Sequence, residues 1–378
     1  MFISDLQKRR FSSAFATAVF TEFIQIVALT IDAIIVCNFL GEREIAAVGL
    51  ASPFFFLSGV PATMLATGLQ TACTQEMGHG RIDSVNRQFN ETITFAATCM
   101  ALLTLLLFLF NGPLVFLFGA RGNAADLHGL TSQYLYGLSF DAAPFVLASI
   151  LTPIVVLDNG NGTAIVASIL GGTVNIACDI LAVKLGFGLM GVGAASALSA
   201  FTSFSILATH FFLRKSIVRF TPSRFHWKTI QKIIHHGLPN AVHSAAGMLR
   251  SILLNALVAH TGSSIGISVL TIQNTVMDFV DILSVGVAGA VAVLTGIAFG
   301  EVNGDDILGV GKLGHRYILA LSAAVVIMLT LFHAPIAQIF LSTDSEAFPL
   351  LNFVLFCIAV GTPFSALIYS RVSSLQAM

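Results

Sequence analysis

Charged residues are scarce in this sequence. Only 10% of its 378 residues are Asp, Glu, Lys or Arg, whereas 56% are apolar, and the mean hydropathy is +0.89. A soluble globular domain usually carries about 25% charged residues, so the composition excludes an ordinary soluble protein and predicts a chain that has the lipid bilayer as its solvent. The net charge of −1 argues against nucleic acid as a partner.

The sequence also lacks the patterns that form disulfide frameworks or metal sites. Its five cysteines lie scattered in apolar runs with no CxxC pair, which is typical of small buried apolar residues. The ten histidines include no H-E-x-x-H or comparable ligand set. We therefore expect no metal ion and no cofactor.

A cleavable signal peptide is not expected either. Lys8, Arg9 and Arg10 precede the first apolar run, but that run continues to Leu40 without a clear small-residue cleavage site. We interpret it as a retained first helix.

Long apolar runs fill most of the chain. About 20 apolar residues are needed to span the bilayer as a helix. On this rule the fold class is an all-α integral membrane protein with ten spanning helices, separated by Gly, Pro, Asn and charged residues. They are predicted at residues 11–40, 46–76, 92–118, 128–157, 162–185, 190–213, 230–260, 266–299, 313–341 and 348–376.

The basic residues predict how these helices are oriented. With a cytoplasmic N-terminus, 14 Lys and Arg fall on the cytoplasmic side and 3 on the outer side, while Arg250 lies within a helix. The positive-inside rule therefore favours this orientation in the cytoplasmic membrane.

The longest polar stretch divides the chain. It runs from Arg214 to Lys232, contains six basic residues and the sole tryptophan, Trp227, and is interpreted as a solvated cytoplasmic linker with an amphipathic turn at the headgroups. We predict three parts: a six-helix lobe at 1–213, a linker at 214–229 and a four-helix lobe at 230–378.

The two lobes show weak internal similarity. Gly78 and Gly300 follow small residues before a polar loop at an offset of 222, and Pro144-Phe145 recurs 219 residues later at Pro363-Phe364. The agreement predicts a parallel repeat, related by an axis along the membrane normal. Since the end of the second half then corresponds to the end of the fourth helix of the first, we expect the second lobe to be incomplete by two helices.

Three polar residues of the first lobe carry the main functional prediction. Asp32 lies in the first helix, with Gln25 on the same face, and Asn175 and Asp179 share one face of the fifth helix at i,i+4. At 1.5 Å per residue, Asp32, Asn175 and Asp179 lie roughly 9–15 Å below the outer surface. Two nearby carboxylates cannot both ionise cheaply, which favours a shared site for one proton or small cation. The alternative is that they are interhelical hydrogen-bonding residues.

The second half has membrane charges of its own. Arg250 is predicted to pair with Asp278, since charges at membrane depth normally do so, while Asp281, three residues later, faces the cleft. Asp141 in the fourth helix either faces the cavity or caps a turn near Pro144.

Several segments together resemble the multidrug and toxic compound extrusion (MATE) transporters. They are DAIIVCNFLGEREIAAVGLASP from Asp32, LGGTVNIACDILAVKLGFGLMGVGAASALSA from Leu170, Gly237-Leu238-Pro239, and Ser251-Ile-Leu-Leu-Asn255. The resemblance covers essentially the whole chain. It implies two six-helix lobes around a V-shaped cleft, and export of compounds in exchange for H⁺ or Na⁺.

The resemblance also bears on individual residues. It implies that Asp32, Asn175 and Asp179 occupy cation-site positions. Three departures accompany it: Leu198 or Ser199 stands at a small-residue or Thr position, Gly247 and Arg250 stand where one Na⁺-coupled branch has a carboxylate, and two final helices are absent. The second departure favours H⁺.

The sequence therefore predicts a secondary active efflux transporter, not an enzyme, which exchanges H⁺ (less favourably Na⁺) for amphipathic, often cationic, organic compounds. Its expected partners are drug-like small molecules and the bilayer, and a monomer is expected. Three alternatives stay open: a flippase for lipid-linked sugars, for which only Arg250 offers a cleft cation; a membrane enzyme, for which Asp32 and Asp179 form the one candidate pair; and an inactive truncated transporter.

Overall fold

A computed structural model describes residues 5–118, 127–212, 216–221, 224–260, 264–340 and 348–378. Within these ranges the regular structure is entirely helical. The helices are α1 (Asp5–Ile35), followed by a π-helical turn (Val36–Leu40), α2 (Glu42–Leu50), α3 (Ser52–Gly78), α4 (Ile82–Leu109), α5 (Asn111–Leu117), α6 (His128–Leu138), α7 (Ala142–Leu157), α8 (Asn161–Lys184), α9 (Gly188–His210), α10 (Trp227–His260), α11 (Ser264–Gly300), α12 (Gly304–Leu331), α13 (His333–Phe340) and α14 (Phe348–Gln376).

The helices confirm a multi-pass membrane protein. Among the described residues, eight helices are long and apolar enough to span a bilayer, and α6 with α7 make a ninth if this pair, bent by 47°, is one span. The remaining predicted span, at 230–260, corresponds to α10, which is helical but is not among the eight. A count of ten therefore stays a prediction.

Four of the predicted spans are divided into two helices rather than continuous. The breaks separate α2 from α3, α4 from α5, α6 from α7, and α12 from α13. A proline stands in the first turn after each break, namely Pro53, Pro113, Pro144 and Pro335. Because a proline ring clashes with the carbonyl four residues earlier but is tolerated in a first turn, the preceding helix ends and a new one begins.

The described residues group into two compact units. The first unit is Ile24–Ser244, and the second combines Met1–Phe23 with Ala245–Met378. The beginning of α1 is thus grouped with the second half of the chain. The predicted lobes at 1–213 and 230–378, with a linker at 214–229, stay a prediction.

Each unit has its own apolar core. In the first unit, buried side chains of α2, α3, α6 and α9 pack together, among them Phe54, Leu135 and Leu189. In the second unit, α11, α12 and α14 surround buried residues such as Val291 and Ile318.

The segment after α9 is bound to α4 rather than free in solvent. We call residues 216–221 and 224–226 the strap. Asn86 Oδ1 accepts a hydrogen bond from the N–H of Arg219 (2.6 Å). Asn90 accepts one from the N–H of Thr221 (2.7 Å) and donates one to the carbonyl of Arg219 (2.9 Å). These hydrogen bonds between asparagine side chains and the strap backbone hold the strap against one face of α4.

Two buried carboxylates hold the ends of the strap. Asp158 Oδ2 lies 2.9 Å from His210 Nε2 and accepts a hydrogen bond from the Ser216 hydroxyl (2.6 Å). Glu91 accepts a hydrogen bond from the backbone N–H of His226 (2.9 Å), and its other oxygen lies 2.8 Å from His226 Nδ1. The predicted solvated linker is therefore anchored at both ends.

Candidate cation site

Four ionisable side chains of the first unit lie near enough for their charges to interact. Asp32 comes from α1, Tyr134 from α6, Asp141 from the bend between α6 and α7, and Asp179 from α8. Tyr134, Asp141 and Asp179 are buried, and Asp32 is half-buried. Asn175 lies one turn before Asp179 and is also buried.

Electrostatic interactions show that these groups are neighbours. The charge of Asp32 acts on Asp179, and the charges of Asp32, Asp141 and Asp179 all act on the Tyr134 hydroxyl. Asp32 and Asp179 are thus near enough for their charges to interact, and their sharing of one cation site stays a prediction.

The carboxylate of Asp179 has unusual surroundings. Its side chain is 0% exposed, and neither of its buried oxygens has a hydrogen-bond partner among the described residues. Oδ1 of Asp32 is likewise buried without a partner within the described part of the chain. Burying an ionised carboxylate without partners is very costly, which makes Asp179 a candidate to hold a proton or a cation.

The face of α8 that carries Asn175 and Asp179 also carries a glycine that is approached by α1. The glycine at 172 leaves room for α1, because a Cβ there would lie 3.1 Å from Cγ2 of Ile24. On the opposite side, the Ser199 hydroxyl of α9 donates to the carbonyl of Gly171 (2.8 Å) and the Ser203 hydroxyl donates to that of Ala167 (3.1 Å). Small residues and interhelical hydrogen bonds of this kind are typical of membrane helix interfaces.

A second close contact positions Tyr134. At the crossing of α6 and α9, a Cβ on Gly137 would lie 2.4 Å from the Met190 carbonyl oxygen, and one on Gly193 would lie 2.6 Å from the Tyr134 carbonyl oxygen. The two backbones touch, which is possible only with glycine at both positions. Tyr134 lies one turn before Gly137, so this crossing sets its position beside the carboxylates.

Other predicted residues lie outside this cluster. Gln25 is exposed and lies in α1, seven residues or about two turns before Asp32. In the second unit Arg250 and Asp278 are both exposed, and the ion pairs of the described residues do not join them. Asp281 is half-buried, and its charge and that of Arg250 both act on the Tyr369 hydroxyl.

Sequence reasoning did not identify Tyr134 as part of the site. One signal was available: tyrosine occurs four times in the chain, and Tyr134 precedes Asp141 by seven residues, a spacing that keeps two residues on one helical face.

Comparisons with known proteins agree with this architecture. Residues 18–181 match the MatE family model. Over 320 residues the chain is 25% identical to a probable multidrug resistance protein NorM of Shewanella oneidensis, covering 80% of this chain and 67% of that protein. The chain is therefore similar to the MATE transporters. This confirms the resemblance predicted from the sequence.

Solved structures show the same fold. A MATE transporter of Vibrio cholerae superimposes with a TM-score of 0.89 at 14% identity, covering 98% of this chain and 84% of that one. A MOP superfamily transporter of Pyrococcus furiosus gives a TM-score of 0.83 at 22% identity, covering 98% and 85%. The all-helical architecture of this chain is therefore shared with these solved transporter structures.

Proposed function

We propose that this chain is a secondary active multidrug efflux transporter of the cytoplasmic membrane, with its N-terminus on the cytoplasmic side. It exchanges H⁺ for amphipathic and often cationic organic compounds. Na⁺ is the less favoured coupling ion. Its similarity to a probable multidrug resistance protein supports the substrate class. The excess of basic residues on one side of the predicted topology supports the orientation.

The observation that carries the proposal is the carboxylate of Asp179. It is fully buried at membrane depth, both its oxygens are without a hydrogen-bond partner in the described residues, and it interacts with Asp32. Ionisable residues inside a membrane usually mark ion or substrate pathways. A group that is costly to keep ionised, and that sits beside a second carboxylate, is suited to bind and release one cation per cycle.

The coupling follows from differential affinity. Binding of a proton at Asp32 and Asp179 removes charge from the interior and favours one packing of α1 against α8, whereas loss of the proton favours another. If the exported compound prefers the deprotonated packing, each ligand lowers the affinity for the other, and exchange results.

A proton is favoured over Na⁺ by the simplicity of the site. A proton needs one carboxylate oxygen, whereas a metal cation needs several oxygen ligands arranged around it. In α10, moreover, Gly247 and Arg250 stand in the region where a carboxylate would supply a further ligand.

The flippase alternative is less well supported. A lipid-linked sugar carries a pyrophosphate, which requires several Lys or Arg side chains. The described groups around Tyr134 are instead three carboxylates, whose charges would repel an anion and attract a cation.

Transport by reconstituted protein tests the proposal. Proteoliposomes loaded with ethidium, a fluorescent amphipathic cation, are given an imposed pH gradient, and efflux is followed with wild-type, Asp179→Asn and Asp83→Asn proteins. Asp83 is an exposed carboxylate of α4 outside the cluster and serves as the matched control. We expect wild type and Asp83→Asn to export alike and Asp179→Asn to lose gradient-driven export. Equal export by all three would contradict the proposal, and a response to a Na⁺ gradient alone would replace H⁺ with Na⁺.

A further inference from the structure

The strap and the start of α10 form a basic surface with few acidic neighbours. The sequence from Arg214 to Lys232 contains six basic residues and no Asp or Glu. Within the described part of this segment, Arg219, Arg224 and Lys228 are exposed and form none of the described ion pairs. Lys232 differs, since it lies 3.4 Å from Glu76.

The acidic groups that are hydrogen-bonded to the strap do not neutralise this surface. The carboxylates of Glu91 and Asp158 are buried, and both are engaged by histidines and by strap backbone N–H groups. They fix the strap from beneath. The three free cationic side chains therefore project from a backbone that is held in place, which lowers the entropy lost when they bind an anion.

Aromatic side chains accompany the basic ones. Phe212, Phe220, Phe225 and Trp227 are exposed, Trp227 by 56%. Phe212 and Phe220 are in ring contact, with centroids 6.3 Å apart. Exposed aromatic rings interleaved with Lys and Arg are typical of the headgroup level of a bilayer.

The ring contacts of α4 locate this surface relative to the bilayer. The polar part of α4 ends at Thr92, and an apolar run begins at Ile93. Phe95, in the first turn of that run, contacts Phe225 (centroids 5.4 Å apart) and Trp227 (6.3 Å). The two rings thus lie where α4 changes from polar to apolar, which is the expected depth of the boundary between headgroups and acyl chains.

From these observations we propose that the strap and the first turn of α10 bind the headgroups of anionic phospholipids, with Arg219, Arg224 and Lys228 contacting phosphate and Trp227 inserted beside the acyl chains. Clusters of basic residues next to a membrane attract anionic lipid. This site is independent of the transport function proposed above.

The single tryptophan provides a local probe. The 378-residue protein is reconstituted in two sets of phosphatidylcholine vesicles with equal amounts of phosphatidylglycerol. In one set the phosphatidylglycerol is brominated, and in the other an equal amount of the phosphatidylcholine is brominated. Bromine quenches Trp227 fluorescence on contact, so the ratio of quenching gives the local lipid preference. We expect a preference for phosphatidylglycerol of about five-fold, equivalent to about 1 kcal/mol, which falls in 0.5 M salt.

Two matched variants distinguish a lipid preference caused by this surface from one caused by the net charge of the protein. Replacing Arg219, Arg224 and Lys228 with Gln should reduce the preference to about one. Replacing Lys184, Lys312 and Arg316 with Gln removes the same charge from exposed positions elsewhere and should leave it unchanged. The double variant Arg219→Lys, Arg224→Lys preserves the charge and should also retain the preference for phosphatidylglycerol. If the Gln variant fails to fold, this Lys variant and the salt dependence of the wild type test the proposal.

Several results would overturn the proposal. They are equal quenching by both lipids in the wild type, no quenching by either, or a preference that survives in the Gln variant. A response of Trp227 in detergent to 10 mM inorganic phosphate, together with loss of lipid preference in its presence, would assign the site to a soluble anion instead.

Discussion

Asp158 illustrates how a buried carboxylate acts in this protein when it has partners. It lies at the end of α7 and receives hydrogen bonds from the Ser216 hydroxyl and the Ile217 N–H, with His210 on one of its oxygens. Each of these three groups donates a hydrogen bond to the carboxylate or is able to do so. Asp158 is therefore a structural anchor, in contrast to Asp179, whose oxygens are without partners among the described residues.

This anchor should be costly to remove. In Asp158→Ala, the Ser216 hydroxyl and the Ile217 N–H would lose their acceptor in a buried position, so we expect a destabilisation of roughly 3–5 kcal/mol. The matched change is Glu76→Ala, because Glu76 bridges two exposed cations, Arg81 and Lys232, and should cost less than about 1 kcal/mol. Thermal unfolding in detergent measures both, and equal losses would show that Asp158 is not the anchor.

Asn175 should matter less than the two carboxylates. Asn175→Ala removes one amide from the cluster but leaves both Asp32 and Asp179, so we expect pH-driven efflux to fall a few-fold without being lost. The proteoliposome assay measures this. Complete loss would mean that the amide itself is required to hold the coupling ion.

The sequence predicted the residues whose signal is local. A carboxylate in an apolar run, or an Asn and an Asp at i,i+4, can be recognised without knowing the fold, so Asp32, Asn175 and Asp179 could be proposed as site residues from the sequence. The anchors of the strap could not be predicted in this way. Asp158 and Glu91 stand at the edges of apolar runs, where a carboxylate is ordinary, and their partners are 52 to 135 residues away in the sequence.

At the scale of helices, the crossing of α6 and α9 sets the geometry of the site. The two backbones approach at Gly137 and Gly193 without an intervening side chain. Such a contact fixes the distance between helices more tightly than interdigitated side chains do, because it leaves no rotamer free to adjust.

A methyl group at this crossing should separate the helices. Gly137→Ala would place a Cβ 2.4 Å from a backbone oxygen, so we expect a loss of about 1–3 kcal/mol and displacement of Tyr134. Gly129→Ala, in the same helix, has nothing within 4 Å of the added Cβ and should be neutral or stabilising by up to about 1 kcal/mol. Thermal unfolding of the pair measures the difference, and similar melting temperatures would contradict the close crossing.

The breaks between helices were predictable in principle. Each is followed by a proline in the first turn of the next helix, and the rule that a proline ring clashes with the carbonyl four residues earlier is local. A hydropathy window averages over about 20 residues and does not detect such a break. For this reason four spans were predicted as continuous helices. The 47° angle at the bend beside Asp141 was not predictable, since it depends on packing against other helices.

At the scale of the whole chain, the helix bounds repeat. An offset of 222 residues separates the ends of α3 and α11 (Gly78 and Gly300), the starts of α4 and α12 (Ile82 and Gly304), and their ends (Leu109 and Leu331). This is the offset predicted from the glycines alone. It supports a parallel internal repeat, in which corresponding helices cross the membrane in the same direction.

The repeat and the basic residues together make the topology testable. With single cysteines in a cysteine-free background, Arg43→Cys and Lys184→Cys should react with an impermeant maleimide added outside intact cells. Arg224→Cys should react only after the membrane is opened. Labelling of Arg43→Cys and Arg224→Cys from the same side would contradict the orientation.

The central claim is that Asp32 and Asp179 are one cation site, and the direct test compares their single and double variants. Asp32→Asn, Asp179→Asn and the double variant are nearly isosteric with the wild type, so all should fold. In vesicles with an imposed pH gradient, we predict that each single variant loses gradient-driven ethidium efflux and that the double variant is no worse than either, because each change disables the same site. Normal efflux by Asp32→Asn, or losses that multiply in the double variant, would contradict a shared site.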